Sequence, residues 1–349
     1  MFNKFNKYYF IQKNINRRSK TNNTTRGKPS QVNDFVNVKI LDSNIRLVKN
    51  KVTYINHVYQ SKYKNNVNSS GLGDFIRGSY FILEFCNLYN FKPNIIFNNS
   101  VSLYLKNNTL NIENNCDNIE NQFKNISFFQ SLNWDDLRVN NNKIIEKPIT
   151  NNRVKYINKF TQYLNSCNVN NNNVYTYCIA YPFDTESENS KLYMRKILEP
   201  TTEMSLLVDS VLSKLALIKK TYTVIHIRSG DNYLNKTTDK FKLNYVNSLF
   251  NRININPNNK YLLISDNNYI KKYFLLKYPN IRAFFKEITH IGEGVVLNED
   301  NVKNTMLDFF LLSFAKAIYS YSVYKHGSGF SYWCAKTYNI PYICTYVGE

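Results

Sequence analysis

The chain has 349 residues, 43% of them hydrophobic, and 45 Lys and Arg against 25 Asp and Glu give it a formal net charge of +20. That length and apolar content exclude a disordered chain or a disulfide-stapled mini-protein and predict two domains of ordinary size. The charge favours anionic partners, whether nucleotide diphosphates, nucleic acid or acidic surfaces, without choosing among them.

The abundance of Asn, Lys, Ile and Tyr follows from an AT-rich coding sequence, which suits a viral or protist genome, and carries no functional meaning. Residues 1–35, with Arg17, Arg18, Lys20, Arg26 and Lys28, predict a basic flexible arm. Charges also break the first twenty residues, so neither a signal peptide nor a transmembrane segment is predicted. The expected compartment is the cytoplasm, or a host cytoplasm or virion for a viral source. Cys86, Cys116, Cys167, Cys178, Cys334 and Cys344 lie far apart without a Cys-X-X-Cys pair, which predicts reduced thiols and no metal site.

Alternating pieces at Val36–Ile40 and Ile45–Val48, between Phe35 and Val58, predict an antiparallel hairpin or two small strands. Gly71-Leu-Gly-Asp-Phe-Ile-Arg77 then opens a long apolar helix reaching Tyr89, with Asp74 at the expected N-cap. Such a turn gathers unpaired N–H groups at a helix N-terminus, and Arg77 adds charge, so it can hold a phosphate. It equally suits glycines needed for close packing beside an Asp that only caps. Asn94–Phe97 reads as a strand. From Asn98 to Asn173 the chain is Asn-rich, and only Ile126–Trp134 and Tyr156–Leu164 show ordered patterns.

Val174–Ala180 predicts a strand, and Pro200-Thr-Thr-Glu203 a helix start that runs to Leu217. The domain boundary is therefore placed at 200, giving an N-terminal α/β domain over 36–200 and a C-terminal domain over 201–349. Strands at Tyr222–Ile227, Tyr261–Ser265, Ile281–Phe285, Ile318–Tyr324 and Tyr342–Tyr346 alternate with helices at Ile270–Tyr278, Asn301–Lys316 and Ser331–Tyr338. That alternation predicts a parallel, Rossmann-like sheet with right-handed crossovers. Its strand ends would gather Arg228, Asp231, Asp266 and the loop His326-Gly-Ser-Gly-Phe-Ser331 at one edge. An arginine fork at such an edge suits a diphosphate, although the same pattern also describes an ordinary loop with a solvated arginine.

His226-Ile-Arg-Ser-Gly-Asp231 resembles the His-X-Arg-X-X-Asp motif of the GDP-fucose-dependent glycosyltransferases, the superfamily of α-1,2-, α-1,6- and protein O-fucosyltransferases. Gly71-Leu-Gly-Asp74 is similar to their Gly-X-Gly-Asn motif. Leu263–Asn267 resembles their Asp-bearing strand end, and Leu307–Ser313 followed by Ser328–Ser331 resembles their late Asp helix and Ser-rich loop. The order matches along residues 71–349. The chain departs in Asp74 where Asn is usual and in Ser229 where several subfamilies carry a second Arg.

The resemblance implies a two-domain GT-B-like α/β architecture and metal-independent, inverting transfer of a sugar, fucose above all, from a GDP-sugar donor to a glycan or protein hydroxyl. No cofactor beyond the donor is implied. In that pattern Arg228 holds the β-phosphate with Ser328, Gly329 N–H and Ser331, while His226 and Asp308 face guanine. Gly71, Gly73, Arg77, Asp231, Asp266 and Phe330 complete the donor site, and Asp74 is the candidate general base. The competing class is a non-enzymatic basic protein that binds nucleic acid or a glycan through charge and tyrosines. No recognised nucleic-acid motif is present, and no specific nucleic-acid partner is expected.

Overall fold

The computed structural model describes residues 43–60, 70–107, 150–167, 172–180, 186–230, 255–291 and 298–347, with a few short stretches between them. The basic arm, Val36–Ile40, Ile126–Trp134 and Asp231 lie outside the described residues.

The N-terminal unit opens with a helix over residues 43–49 (α1), not the strand expected at Ile45–Val48. Ile45, Val48 and Val52 recur at helical spacing and pack together in one apolar cluster. Strand β1 (Tyr54–Gln60) lies between β2 (Lys92–Asn98) and β3 (Asn173–Thr176), and both pairings are parallel, in place of the expected hairpin. Asparagines knit the three strands: Asn94 donates to Asn56, and Asn56 donates to Asn173. Helix α2 (Leu72–Tyr89) joins β1 to β2 and is buried along most of its length. Helix α3 (Thr150–Ser166) contains the stretch Tyr156–Leu164. The strand expected over Val174–Ala180 stops at Thr176 because Gly78 of α2 meets the Cys178 carbonyl and Arg77 Nε donates to Ile179 O. Backbone spent on a helix cannot continue a ladder.

Helices α4 (Glu188–Ile197) and α5 (Thr202–Lys214) lead into the second unit, with Thr201 capping α5 through Met204 N. There follow β4 (Thr223–Arg228), β5 (Tyr261–Ser265), α6 (Asn268–Lys277), β6 (Ile281–Ala283), α7 (Glu299–Ser313), β7 (Ala317–Ser322), α8 (Gly329–Tyr338) and β8 (Tyr342–Tyr346). Each expected strand and helix of this half is present, with ends shifted by up to a few residues: α6, α7 and α8 each start two residues earlier than expected. The five strands form one parallel sheet in the order β6-β5-β4-β7-β8. The chain thus starts at the centre, builds outward to one side, then returns to build the other, as in a Rossmann-like half.

The two units share a core. One apolar cluster runs from Val58, Phe75 and Phe97 to Val224, Leu262 and Ile318. Tyr80 of α2 stacks on Trp333 of α8 and donates to Thr337, and Tyr59 donates to Ile291 O. No helix among the described residues is long and apolar enough to cross a membrane.

Candidate functional site

In an open parallel sheet, ligands settle at the carboxyl ends of the strands where the chain order reverses, because the loops on either side diverge and leave a crevice. Here the reversal lies between β4 and β7, which pair as far as Arg228 opposite Ser322. Arg228 therefore ends its strand at the switch point, with a side chain 13% exposed. Its guanidinium donates to Asp266 Oδ2 at 2.6 Å, and its carbon lies 5.9 Å from the Tyr324 ring centre. Tyr324 in turn stacks on His326 at 5.4 Å.

Asp266 is enclosed by the turn that follows β4. Its carboxylate, 3% exposed, accepts from Arg228, from Ser229 N and Oγ at 2.9 and 2.6 Å, and from Gly230 N at 3.3 Å. Gly230 has φ +101°, a conformation that side chains resist. Asp266 thus anchors the turn after β4 and holds the arginine.

Two helix N-termini meet at the same sheet edge, where the segment from β7 to α8 leaves Arg228 as Val323 N donates to Arg228 O. Helices α4, α5, α6 and α7 are each closed by a side chain, from Ser187, Thr201, Asn267 and Asn298. Helices α2 and α8 begin on Gly71 and Ser328 with no side-chain cap. A carbon added to Gly73 would collide with the Gly329–Phe330 backbone, so the glycines are what let the two ends touch. Their first N–H groups and the positive ends of both helix dipoles gather at this contact. Gly327, at φ +77°, turns the chain into α8.

Asp74 is not the N-cap; Gly71 is, three residues earlier, because a residue with no side chain can start the helix in the crowded contact. The Asp74 carboxylate pairs with Arg77 Nη1 at 2.9 Å, and a carbon on Gly329 would lie 3.8 Å from its Oδ1. Arg77 itself is buried, held by Asp74 and by Ile179 O. Its guanidinium is tied to the first turn of α2 and to the segment after β3.

His226, Asp308 and Ser331 lie deeper. Burial pushes the His226 imidazole down to about 4, offset in part by Asp266, so the ring is neutral at pH 7. Its Nδ1 is 3.3 Å from Ser320 Oγ. Phe330 packs between His226 and Phe309, and Ser331 Oγ faces Ser320 and Tyr342. Asp308 Oδ1 receives Lys286 Nζ at 2.8 Å, with both side chains almost wholly enclosed, while Asp308 Oδ2 is buried without a partner.

The structure brings Gly73, Asp74, Gly329 and Phe330 together where α2 meets α8, sets Arg228 at the end of β4 and Ser328 at the start of α8, packs His226 near Phe330, and ties Asp308 to Lys286. Sequence reasoning missed Lys286, Lys271 and the aiming roles of Ser229 and Asp266. A lysine directly after the expected strand Ile281–Phe285 was the available signal, since a buried amine needs a carboxylate.

Among the described residues, no group of His, Cys, Asp and Glu is arranged to hold a metal ion. No family model and no curated protein matches the sequence. In structure the chain is similar to NodZ alpha-1,6-fucosyltransferase soaked with GDP-fucose, at 11% identity and TM-score 0.45, over 82% of this chain and 93% of that one; NodZ is from Bradyrhizobium. It is similar to FUT1 of Arabidopsis thaliana in complex with GDP, at 10% identity and TM-score 0.41, over 89% and 75% of the two chains. It is also similar to the apo form of POFUT1, at 9% identity and TM-score 0.40, over 84% and 98%. Likeness at that level assigns no chemistry to any residue of this chain.

Proposed function

We propose that the chain is an inverting, metal-independent glycosyltransferase that moves a sugar, fucose above all, from a GDP-sugar to a hydroxyl of a glycan or protein. The observation that carries the reading is Arg228 at the switch point, fixed by Asp266 at the sheet edge from which α8, a helix with no side-chain cap, begins. The order of the motifs along residues 71–349 supports the same donor.

The acceptor oxygen attacks the anomeric carbon as the carbon–oxygen bond to the β-phosphate breaks, and GDP departs with the electron pair. Negative charge grows on the diphosphate. Arg228, the Ser328 hydroxyl and the Gly329 and Phe330 N–H groups oppose that charge in place of a metal ion. Attack from the face opposite the leaving group inverts the centre. The acceptor proton must go to a base, for which the part-exposed Asp74 is the candidate. Asp308 Oδ2 is the acceptor for guanine's N–H donors.

Melting with ligands separates this reading from a charge-driven binder. GDP at low millimolar concentration should raise the melting temperature and keep doing so in moderate salt. A response shared by heparin and single-stranded DNA, and lost as salt rises, would instead mark a polyanion-binding protein.

A further inference from the structure

The Lys286–Asp308 pair is not needed to hold two elements together. The segment after β6 is already fastened to α7 by three other bonds. Thr289 N donates to Thr305 Oγ1, Thr305 Oγ1 donates to Thr289 O, and Asn304 Nδ2 donates to Glu287 O. On the other side, Asn268 Nδ2 donates to Lys286 O. Lys286 nevertheless turns its ammonium inward, to the Asn304 carbonyl at 2.7 Å and to Asp308 Oδ1 at 2.8 Å.

Burial opposes the charge on Lys286, pulling the amine below its ordinary range, and Asp308 opposes that pull. The cost is accepted for one side of a carboxylate whose other oxygen is left buried with no partner. An orphaned buried carboxylate oxygen is expensive, and in a folded protein it points to a group that arrives later. The charges that reach Asp308 are Lys286 from the β6–α7 segment, Lys271 from α6 and His226 from β4. Lys271 is tied to Phe284 O at 3.1 Å, and His226 is neutral, so Lys286 is the cation that fixes the carboxylate.

We infer that Lys286 is a positioning residue that holds Asp308 by Oδ1, presents Oδ2 alone to the base of the nucleotide donor, and thereby sets base selectivity. The inference rests on the donor reading above. Guanine carries N1–H and N2–H donors on the edge that would meet Oδ2; adenine carries an acceptor at N1 and would set it against the carboxylate. With Lys286 removed, Asp308 Oδ1 loses its fixed partner, and the carboxylate is free to turn. A purely structural pair predicts something different: lower stability, with every nucleotide weakened alike.

Calorimetric titration of the full chain with GDP and with ADP tests this. Wild type should bind GDP at least about tenfold more tightly than ADP, the value of one charge-assisted bond. In Lys286→Met the ratio should fall to within about twofold of unity through loss of GDP affinity, with ADP affinity unchanged. A folded variant that keeps the wild-type ratio overturns the Lys286 assignment and leaves the donor reading standing. Equal affinity of wild type for GDP and ADP overturns both. Should the variant not fold, a crystal of wild type with GDP decides. Guanine on Oδ2 with Lys286 still on Oδ1 supports the inference, and a base bound elsewhere, or a displaced lysine, overturns it.

Discussion

Replacing Arg228 with alanine should do two separable things. Asp266 would lose one of its donors, the charged one at 2.6 Å, while keeping Ser229 N, Ser229 Oγ and Gly230 N. A buried ion pair stripped of one partner loses about 3–5 kcal/mol when nothing else satisfies the remaining charge. Three neutral donors remain here, so the expected loss is closer to that of a single charge-assisted bond, about 2 kcal/mol. Urea unfolding reads it directly. GDP affinity should fall independently by about 30-fold, the equivalent of about 2 kcal/mol for the missing phosphate fork. Asp266→Asn completes a cycle: it should destabilise the chain, and the double variant should lose less than the sum of the single losses. A stability within about 0.5 kcal/mol of wild type for Arg228→Ala would refute the anchoring role. Unchanged GDP affinity in the folded variant would refute the phosphate role.

Gly73→Ala drives a methyl into the Gly329–Phe330 backbone and should cost about 1–3 kcal/mol in urea unfolding, whereas Gly329→Ala, with Asp74 Oδ1 at 3.8 Å from the new carbon, should melt near wild type; equal melting of the two would show that the α2–α8 contact is loose. His57 is held down to about 3 and His226 to about 4, chiefly by burial, so the unfolded chain takes up protons below about 6.5 that the folded chain refuses. Stability should therefore fall between about pH 6.5 and 4, by up to about 1.4 kcal/mol per pH unit for each ring, and His57→Phe should reduce that slope; an unaltered slope counts against His57. Transfer from a GDP-sugar should survive EDTA, and complete loss restored by Mn²⁺ would overturn the metal-independent reading. Asp74→Asn breaks the 2.9 Å pair with buried Arg77 and should lower stability by about 1–2 kcal/mol, where a simple cap would tolerate the change. If Asp74 is also the base, turnover falls about 10²-fold with GDP affinity intact, and unchanged turnover removes it from that role.

The C-terminal half was legible because its strands advertise themselves. Thr223–Arg228 and Tyr261–Ser265 are buried on both faces, and the helices between them carry their caps in sequence, as Asn267 and Asn298 do. In the N-terminal sheet the two outer strands were legible at Asn94–Phe97 and from Val174, and the central strand was not. Tyr54–Gln60 buries Asn56 and His57, which do not look like core residues until neighbouring strands supply Asn94 and Asn173 as partners. The site shows the same division. Arg228 and the glycine turns were visible from local pattern, whereas the fate of Asp266 and Asp308 depended on cations elsewhere in the chain. No local window distinguishes an acid that meets a ligand from an acid that meets a lysine.

That distinction bears on the net charge of +20, the most conspicuous property of the sequence. Three buried cations of this region are matched: Arg228 by Asp266, Arg77 by Asp74 and Lys286 by Asp308. These three pairs add nothing to the excess. What the pairs provide is orientation. A guanidinium has five N–H donors in a plane, and fixing it through Nη1 directs the fork before any ligand arrives. An incoming diphosphate then meets donors already aimed and does not bear the cost of ordering a free side chain. Loose surface lysines attract polyanions of any shape, with an affinity that salt erodes. A partnered arginine beside uncapped helix ends selects a compact anion of one geometry. The salt dependence of GDP binding should accordingly be shallower than that of any polyanion the surface attracts, and a steeper slope for GDP would count against the crevice as its site.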